Sequence, residues 1–287
     1  MKNILLGLLF AALWASASVA TKLGLKGGQP LLMFEIRFLI ASLIMFFYGH
    51  VVLKEAFPKK SEIVPLIIYG ALNVSLYLGL YVIAMREVSA GIGSLSVAIN
   101  PVLIAVMSTI FQKKNIKPYL WFALILGFCG VIVAIYPLLQ NAHATIQGLI
   151  ILFCAMVSYS LGTIYFSGRA WHQKLIVINT WQIIFGGLLL LPFTLIFTDF
   201  DKQIWDTNFW ICTIWLAIPV SIGAVQIWLY LLKLDPVRAG SWLYLNPIFG
   251  FIFAALIMSE PITIYTAMGT VLVLISLWIV QKNKKVV

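Results

Sequence analysis

Leu243-Tyr244-Leu245-Asn246-Pro247 lies inside an apolar run from Gly240 to Pro261. A run of that length can cross a bilayer, whose hydrocarbon core takes about 20 helical residues. Proline removes a backbone donor and frees a carbonyl on the preceding turn. In hydrocarbon such groups must find partners within the protein. The run therefore predicts a helix that faces other helices or a wet cavity, with Tyr244 and Asn246 as polar handles. The same pair recurs at Asn100-Pro101, and 246 − 100 gives a separation of 146 residues, about half of the 287-residue chain.

The whole chain has the same character. Hydrophobic residues make up 62% of it and charged residues 10%, against roughly 25% charged in a soluble domain. The mean hydropathy is +1.04. A net charge of +10 raises the question of nucleic acid. The Lys and Arg residues sit mostly in short loops between apolar runs, where they act as topology signals. Cys129, Cys154 and Cys212 all fall within apolar runs, with no metal spacing and no disulfide framework. His50, His143 and His172 form no cluster with Asp, Ser or Cys that would suggest catalysis. No Gly-rich phosphate loop ending in Gly-Lys-Ser/Thr is present.

Ten apolar runs are legible, at about 3–21, 31–53, 63–84, 90–111, 117–137, 147–167, 176–197, 209–232, 238–258 and 262–280. The first resembles a signal peptide, with Lys2 ahead of an apolar stretch and small residues at Ala15-Ser16-Ala17 and Ser18-Val19-Ala20. The favoured reading is an uncleaved span whose small residues let a neighbour approach, because cleavage would leave nine runs and break the repeat described below. With the N-terminus in the cytoplasm, 14 Lys and Arg fall on the inner side. Four fall outside (Lys22, Lys26, Arg86 and Lys202), and Arg37 lies within a span. The bias places both termini in the cytoplasm.

Sliding the chain by 146 residues lays Asn100-Pro101 on Asn246-Pro247 and Val74-Ser75 on Val220-Ser221. Arg37 meets Gln182 at an offset of 145. Five spans would form residues 1–140 and five more residues 144–287. An odd number of spans per repeat inverts the second half in the membrane. Inverted repeats are a recurring transporter architecture, with the substrate site near the midplane between the halves. The expected fold is an all-α polytopic membrane protein of ten transmembrane helices in two inverted five-helix repeats.

At this level the chain resembles the drug/metabolite transporter superfamily, in its EamA-type branch of ten-span carriers. The resemblance is carried by Phe34-Glu-Ile-Arg37-Phe38-Leu-Ile-Ala41 in the second span and by Ala90-Gly-Ile-Gly-Ser-Leu-Ser-Val-Ala-Ile-Asn-Pro101 in the fourth. The second half adds Asp235-Pro-Val-Arg238-Ala-Gly, Leu243-Tyr-Leu-Asn-Pro247, Met258-Ser-Glu260 and Gly269. The family pattern has a Glu ending both the fourth and the ninth span; here Glu260 fits and Lys114 stands at the other place. The resemblance implies a carrier that moves small organic metabolites, often amino acids, outward across the bacterial inner membrane, without a cofactor or ATP hydrolysis. It implies a cavity between the first, third, fourth, sixth, eighth and ninth spans.

Ten residues from a span end is about 15 Å deep, near the midplane. Candidate substrate-binding residues at that depth are Trp14, Asn73, Tyr77, Asn100, Tyr159, Tyr244 and Asn246, with Gln226 somewhat nearer the inner face and Ser75, Ser158 and Ser221 beside them. Each has a bland counterpart. Asn100 and Asn246 can bond neighbouring helices across the proline breaks. Ser75 and Ser221 can bond the carbonyl four residues back. Trp14, Tyr77 and Tyr244 can pack, and Trp228 fits an interfacial belt, as do Trp205 and Trp210. Glu35 and Arg37 are the conspicuous membrane charges. Glu35 can take up a proton or sit at the interface. Arg37 can bond carbonyls of a neighbouring helix, snorkel to the headgroups or attract a substrate carboxylate.

The expectation is a secondary exporter of small organic metabolites, amino acids among them, working by alternating access as a monomer or homodimer. Its partners are the small-molecule substrate and the lipid bilayer, with no nucleic acid, metal or cofactor and no catalytic residue. The competing classes are a non-transporting membrane scaffold or sensor and a membrane-embedded lipid-modifying enzyme. The enzyme would need a catalytic cluster at interface depth.

Overall fold

The computed structural model describes residues 2–88, 90–139, 144–258 and 263–282; His143, Glu260, Lys284 and Lys285 lie outside them. The described residues form ten helical runs, one for each apolar run of the sequence. They are α1 Lys2–Gly24, α2 Pro30–Val52, α3 Lys60–Glu87, α4 in two pieces (Ala90–Val97 and Asn100–Gln112) and α5 Pro118–Leu139. The second half holds α6 Ile146–Ser167, α7 Leu175–Phe197, α8 Thr207–Leu234, α9 in pieces (Pro236–Ser241, the 3₁₀ turn Trp242–Tyr244 and Leu245–Met258) and α10 Ile264–Lys282. Seven are unbroken helices long and apolar enough to cross a membrane. The chain is thus an all-helical polytopic membrane protein.

Local chemistry sets the helix starts. Pro30 and Pro236 occupy first-turn positions, where a missing N–H costs no intrahelical bond. Asp206 and Asp235 accept the backbone N–H of Phe209 and Arg238 at 2.7 and 2.9 Å, which satisfies a donor that a helix start otherwise leaves orphaned.

The two halves deviate from regular helix at matching places. α4 breaks at Ala98-Ile99, immediately before Asn100-Pro101, and α9 passes through its 3₁₀ turn just before Asn246-Pro247. α3 widens into a π-helical stretch at Ala71–Leu76. Adding 146 gives 217–222, inside the π-helical stretch Leu216–Ala224 of α8. Such widened turns are uncommon and recur at functional sites.

The packing between halves has the same symmetry. α1 rests on α8 and α9 as α6 rests on α3 and α4; α2 meets α8 as α7 meets α3. Three further pairs, α2 with α7, α4 with α9 and α5 with α10, map onto themselves when the halves are exchanged. The α5–α10 seam is drawn tight by small residues. A Cβ on Gly130 would stand 2.9 Å from the Gly269 carbonyl, and one on Gly269 would meet Gly130 and Ala134. Ser276 Oγ donates across the seam to the Ala123 carbonyl at 2.6 Å. α1 packs along its length, with Ala11 and Ala15 buried and Gly7 against the Trp242 ring. Large apolar side chains such as Leu5, Leu43, Phe122, Leu188, Ile196 and Trp278 face outward, as a lipid-facing surface requires.

Candidate functional site

Between the halves lies a central cavity of about 30 Å³, room for roughly one water. Helical periodicity builds its wall. Trp14, Ala17, Ser18 and Thr21 come from α1 at steps of three and four, and Phe34 with Arg37 from α2 at a step of three. Tyr77, Leu78 and Tyr81 come from α3, Val97 from α4, Val220 from α8 and Asn246 from α9. The second span therefore takes the place the sequence assigned to the sixth, because Phe34 and Arg37 turn inward while α6 stands behind α3.

Arg37 is the one charged residue of that wall, and it is 3% exposed. Its side chain is buried rather than snorkelling to the headgroups, and it bonds no carbonyl among the described residues. Nε donates to Ser221 Oγ on α8 at 2.7 Å, its one hydrogen bond among the described residues. The rings of Phe34 and Phe38 flank the guanidinium at 5.0 and 5.7 Å. Among the described residues no carboxylate lies within ion-pair distance of it. On the α9 part of the wall Asn246 is buried, and its Oδ1 has no hydrogen-bond partner among the described residues.

Behind Arg37 runs a buried polar chain. Asn73 Nδ2 donates to Gln182 Oε1 at 3.0 Å, and Gln182 Nε2 to Asn179 Oδ1 at 2.8 Å. Asn179 Nδ2 then donates to the Ser221 carbonyl at 2.9 Å. The chain links α3, α7 and α8 and ends on the residue that holds Arg37. Neither serine bonds four residues back: Ser221 accepts from Arg37, and Ser75 donates to the Gly186 carbonyl of α7 at 2.6 Å.

Toward the N-terminal end of α1 the cavity is floored by aromatic rings. Phe10 and Trp228 stack at 5.0 Å, Trp228 and Tyr159 at 5.7 Å, and Tyr77 lies 4.6 Å from Tyr159. Trp228 is 1% exposed, so the interfacial-belt assignment fails for it. Trp205 and Trp210 are exposed at the edges of a loop, as that assignment requires. The Tyr159 hydroxyl and Trp228 Nε1 are buried without partners among the described residues.

Of the candidates chosen from sequence, Trp14, Tyr77, Asn246 and Arg37 come together on the cavity wall. Tyr159 stands in the floor beneath them, and the others point elsewhere. Asn100 accepts from Ser160 Oγ at 3.1 Å and packs on Met156, both on α6. Tyr244 donates to the Leu124 carbonyl of α5 at 2.6 Å. Gln226 donates to the Leu175 carbonyl at 3.3 Å, and Ser158 to the Leu72 carbonyl at 2.7 Å. Asn73 serves the polar chain, and Tyr159 the floor. Glu35 is half-buried, facing Thr194 of α7 at 3.4 Å rather than the cavity. Ser18, Thr21 and Tyr81 were missed from sequence; each lies one or two turns from Trp14 or Tyr77 on the same helix face.

The EamA-like transporter family model matches this chain twice, over residues 1–136 and 146–281. The chain belongs to the EamA-like transporter family. The two matched segments correspond to the two five-helix halves. This EamA-like protein is 26% identical over 282 residues to the uncharacterized transporter YvbV of Bacillus subtilis, covering 95% of this chain and 89% of that one. It is 22% identical to an uncharacterized transporter of Archaeoglobus fulgidus, over 99% of this chain and 100% of the relative. Protein PecM of Dickeya dadantii is 24% identical, with 93% and 88% covered. A solved structure superposes with a TM-score of 0.80 at 16% identity, over 98% of this chain and 96% of the other, and so shares its fold. The protein is a multi-pass membrane transporter.

Proposed function

We propose that this transporter is a secondary carrier that exports small organic metabolites, amino acids among the candidates, across the bacterial inner membrane by alternating access. Both termini then lie in the cytoplasm, as the distribution of Lys and Arg favours. One observation carries this reading: a small cavity at the interface of two structurally matching halves, lined by Asn246 with its Oδ1 unpartnered among the described residues and floored by the equally unpartnered Tyr159 hydroxyl and Trp228 Nε1. Unpaired polar groups are costly in a membrane interior. A second conformation that brings substrate or water to Asn246, Tyr159 and Trp228 would satisfy them.

In this orientation the Phe10–Trp228–Tyr159 floor is the inner gate, and the present form is nearly occluded. Opening inward requires those rings to part, and α1 and α8 carry two of them. The π-helical stretches of α3 and α8 are natural points for the bend. The test is counterflow in liposomes with a broad metabolite panel, paired with labelling by an impermeant thiol reagent of a cysteine put at Leu231, a buried α8 residue one turn beyond Trp228 (Leu231→Cys). Saturable exchange, with labelling that changes when substrate is added, is expected. Exchange of no solute, with labelling unaffected by any, would overturn the carrier reading.

A further inference from the structure

The central cavity carries one buried positive charge and, among the described residues that line it, no negative one. Burying an isolated guanidinium is expensive, and ordinarily a carboxylate stands beside it. Here Nε is tied to Ser221, two rings flank the group, and the amino nitrogens find no acceptor among the described residues. The planar guanidinium binds a carboxylate through two parallel hydrogen bonds. Asn246, contributed to the same cavity by α9, offers both a donor and an acceptor to the remainder of a ligand.

A second cluster stands at the other end of the route from the aromatic floor. A vestibule of about 460 Å³ is lined by Lys22, Lys26, Arg86 and Lys202. These are the four cations that the topology places outside the membrane. The vestibule lies one helical turn beyond the cavity on the same three helices: Lys22 next to Thr21 on α1, Pro30 four residues from Phe34 on α2, and Met85 four residues from Tyr81 on α3. Lys202 pairs with Asp199 at 2.7 Å, and Arg86 donates to Gln29 at 3.2 Å. Lys22 donates to the Met85 carbonyl at 3.4 Å. No acidic residue lines the vestibule among the described residues.

We infer that the substrate is a small organic anion whose single carboxylate docks on Arg37, with the basic vestibule at the outer end of its path. The inference rests on the carrier reading above and narrows it. A zwitterionic amino acid would bring an ammonium into a wall with no carboxylate to receive it. An anion also supplies its own driving force outward. A membrane potential of 100 mV, inside negative, biases a monoanion toward the outside by about 50-fold, the equivalent of ~2.3 kcal/mol per charge. Export then needs no coupling carboxylate at the midplane.

The experiment uses the full-length carrier in liposomes with an imposed potassium diffusion potential. The probes are labelled lactate, pyruvate and benzoate as monoanions, alanine and serine as zwitterions, and uridine as a neutral solute. Saturable, potential-dependent transport of at least one monocarboxylate, with alanine and serine at least about 10-fold slower, is expected. Arg37→Gln should lower carboxylate transport by about 30-fold or more, the scale for unpairing a buried charge. Arg37→Lys should retain transport with a raised KM, because the charge survives and the two-pronged contact does not. If Arg37→Gln fails to fold, wild-type selectivity and the Lys variant decide. Transport of alanine or uridine with the monocarboxylates inert overturns the anion assignment and leaves the carrier intact. So does an Arg37→Gln protein equal to wild type. Transport of none of the probes, in vesicles that do exchange another solute of the counterflow panel, likewise overturns the anion alone. No exchange of any solute overturns both.

Discussion

The buried chain from Asn73 through Gln182 and Asn179 to Ser221 makes a quantitative claim about what holds Arg37 in place. Asn179 is fully buried and bonds on both sides, to Gln182 and to the Ser221 carbonyl. Asn179→Leu keeps the branched shape but strands Gln182 Nε2 and takes the side-chain donor away from that carbonyl. Each stranded group costs about 1–3 kcal/mol, and partial relaxation brings the expected loss to about 2–4 kcal/mol. Gln182→Leu strands Asn73 Nδ2 and Asn179 Oδ1 and should cost about the same. The double variant removes both partners of the central bond, so it should cost less than the sum of the two. Interhelical polar pairs in membrane proteins couple by about 0.6 kcal/mol on average and up to about 1.7. A pair 2.8 Å apart and fully buried should lie toward the upper end, near 1 kcal/mol. Reversible unfolding in mixed micelles, read for wild type, both singles and the double, gives this number. Additivity within about 0.3 kcal/mol would refute the chain as an energetic unit.

Three further outcomes follow from the packing. Gly269→Leu should cost about 3 kcal/mol or more, because its Cβ meets the backbone of α5 and overpacking a tight seam forces the helices apart; fluorescence-detected size exclusion would show lost or aggregated protein. Trp228→Ala removes a ring stacked on both Phe10 and Tyr159. It should lower the melting temperature and raise labelling of Phe10→Cys from the side of the N-terminus, checked with an impermeant reagent on sealed vesicles. Alkaline phosphatase fused after Asp206 should be active and after Arg169 inactive, because the Lys and Arg bias puts those loops on opposite sides; the reverse pattern would invert the topology.

Ten helices were legible in the sequence because each needs its own long apolar stretch, and the loops between are short and charged. The breaks in α4 and α9 were legible because proline announces them. Which way a side chain faces was not. Tyr244 and Asn246 sit two residues apart, so on a helix they point to different sides. Only packing decided that Tyr244 faces α5 and Asn246 the cavity. Trp228 was misassigned from its distance to the span end. Ala224, Val225, Leu231 and Leu232, all buried, share its helical face and would have marked it as core. Gln182 showed itself only as the partner of Arg37 in the repeat alignment. Its burial in a polar chain depends on contacts more than 100 residues away in sequence, beyond the reach of any local pattern.

The repeat also poses a question that its two Asn-Pro pairs answer. Equivalent residues in the two halves need not have equivalent work. Asn100 has its oxygen bonded by Ser160 and its amide against Met156. Asn246 is nearly as buried, yet its oxygen has no partner among the described residues and the residue lines the cavity. Asn100→Ala should therefore cost stability, about 1–2 kcal/mol for a buried bond and the partner it strands, with an unchanged KM in the surviving protein. Asn246→Ala should cost little stability, because Asn246 makes no side-chain bond among the described residues and a buried unpaired acceptor is removed. It should raise KM several-fold, as the loss of one direct contact of about 1 kcal/mol to the ligand requires. Melting temperature and transport KM, measured on both variants, separate the two roles. A stability loss at Asn246 with KM unmoved would remove it from the site, leaving Arg37 to face the substrate without it.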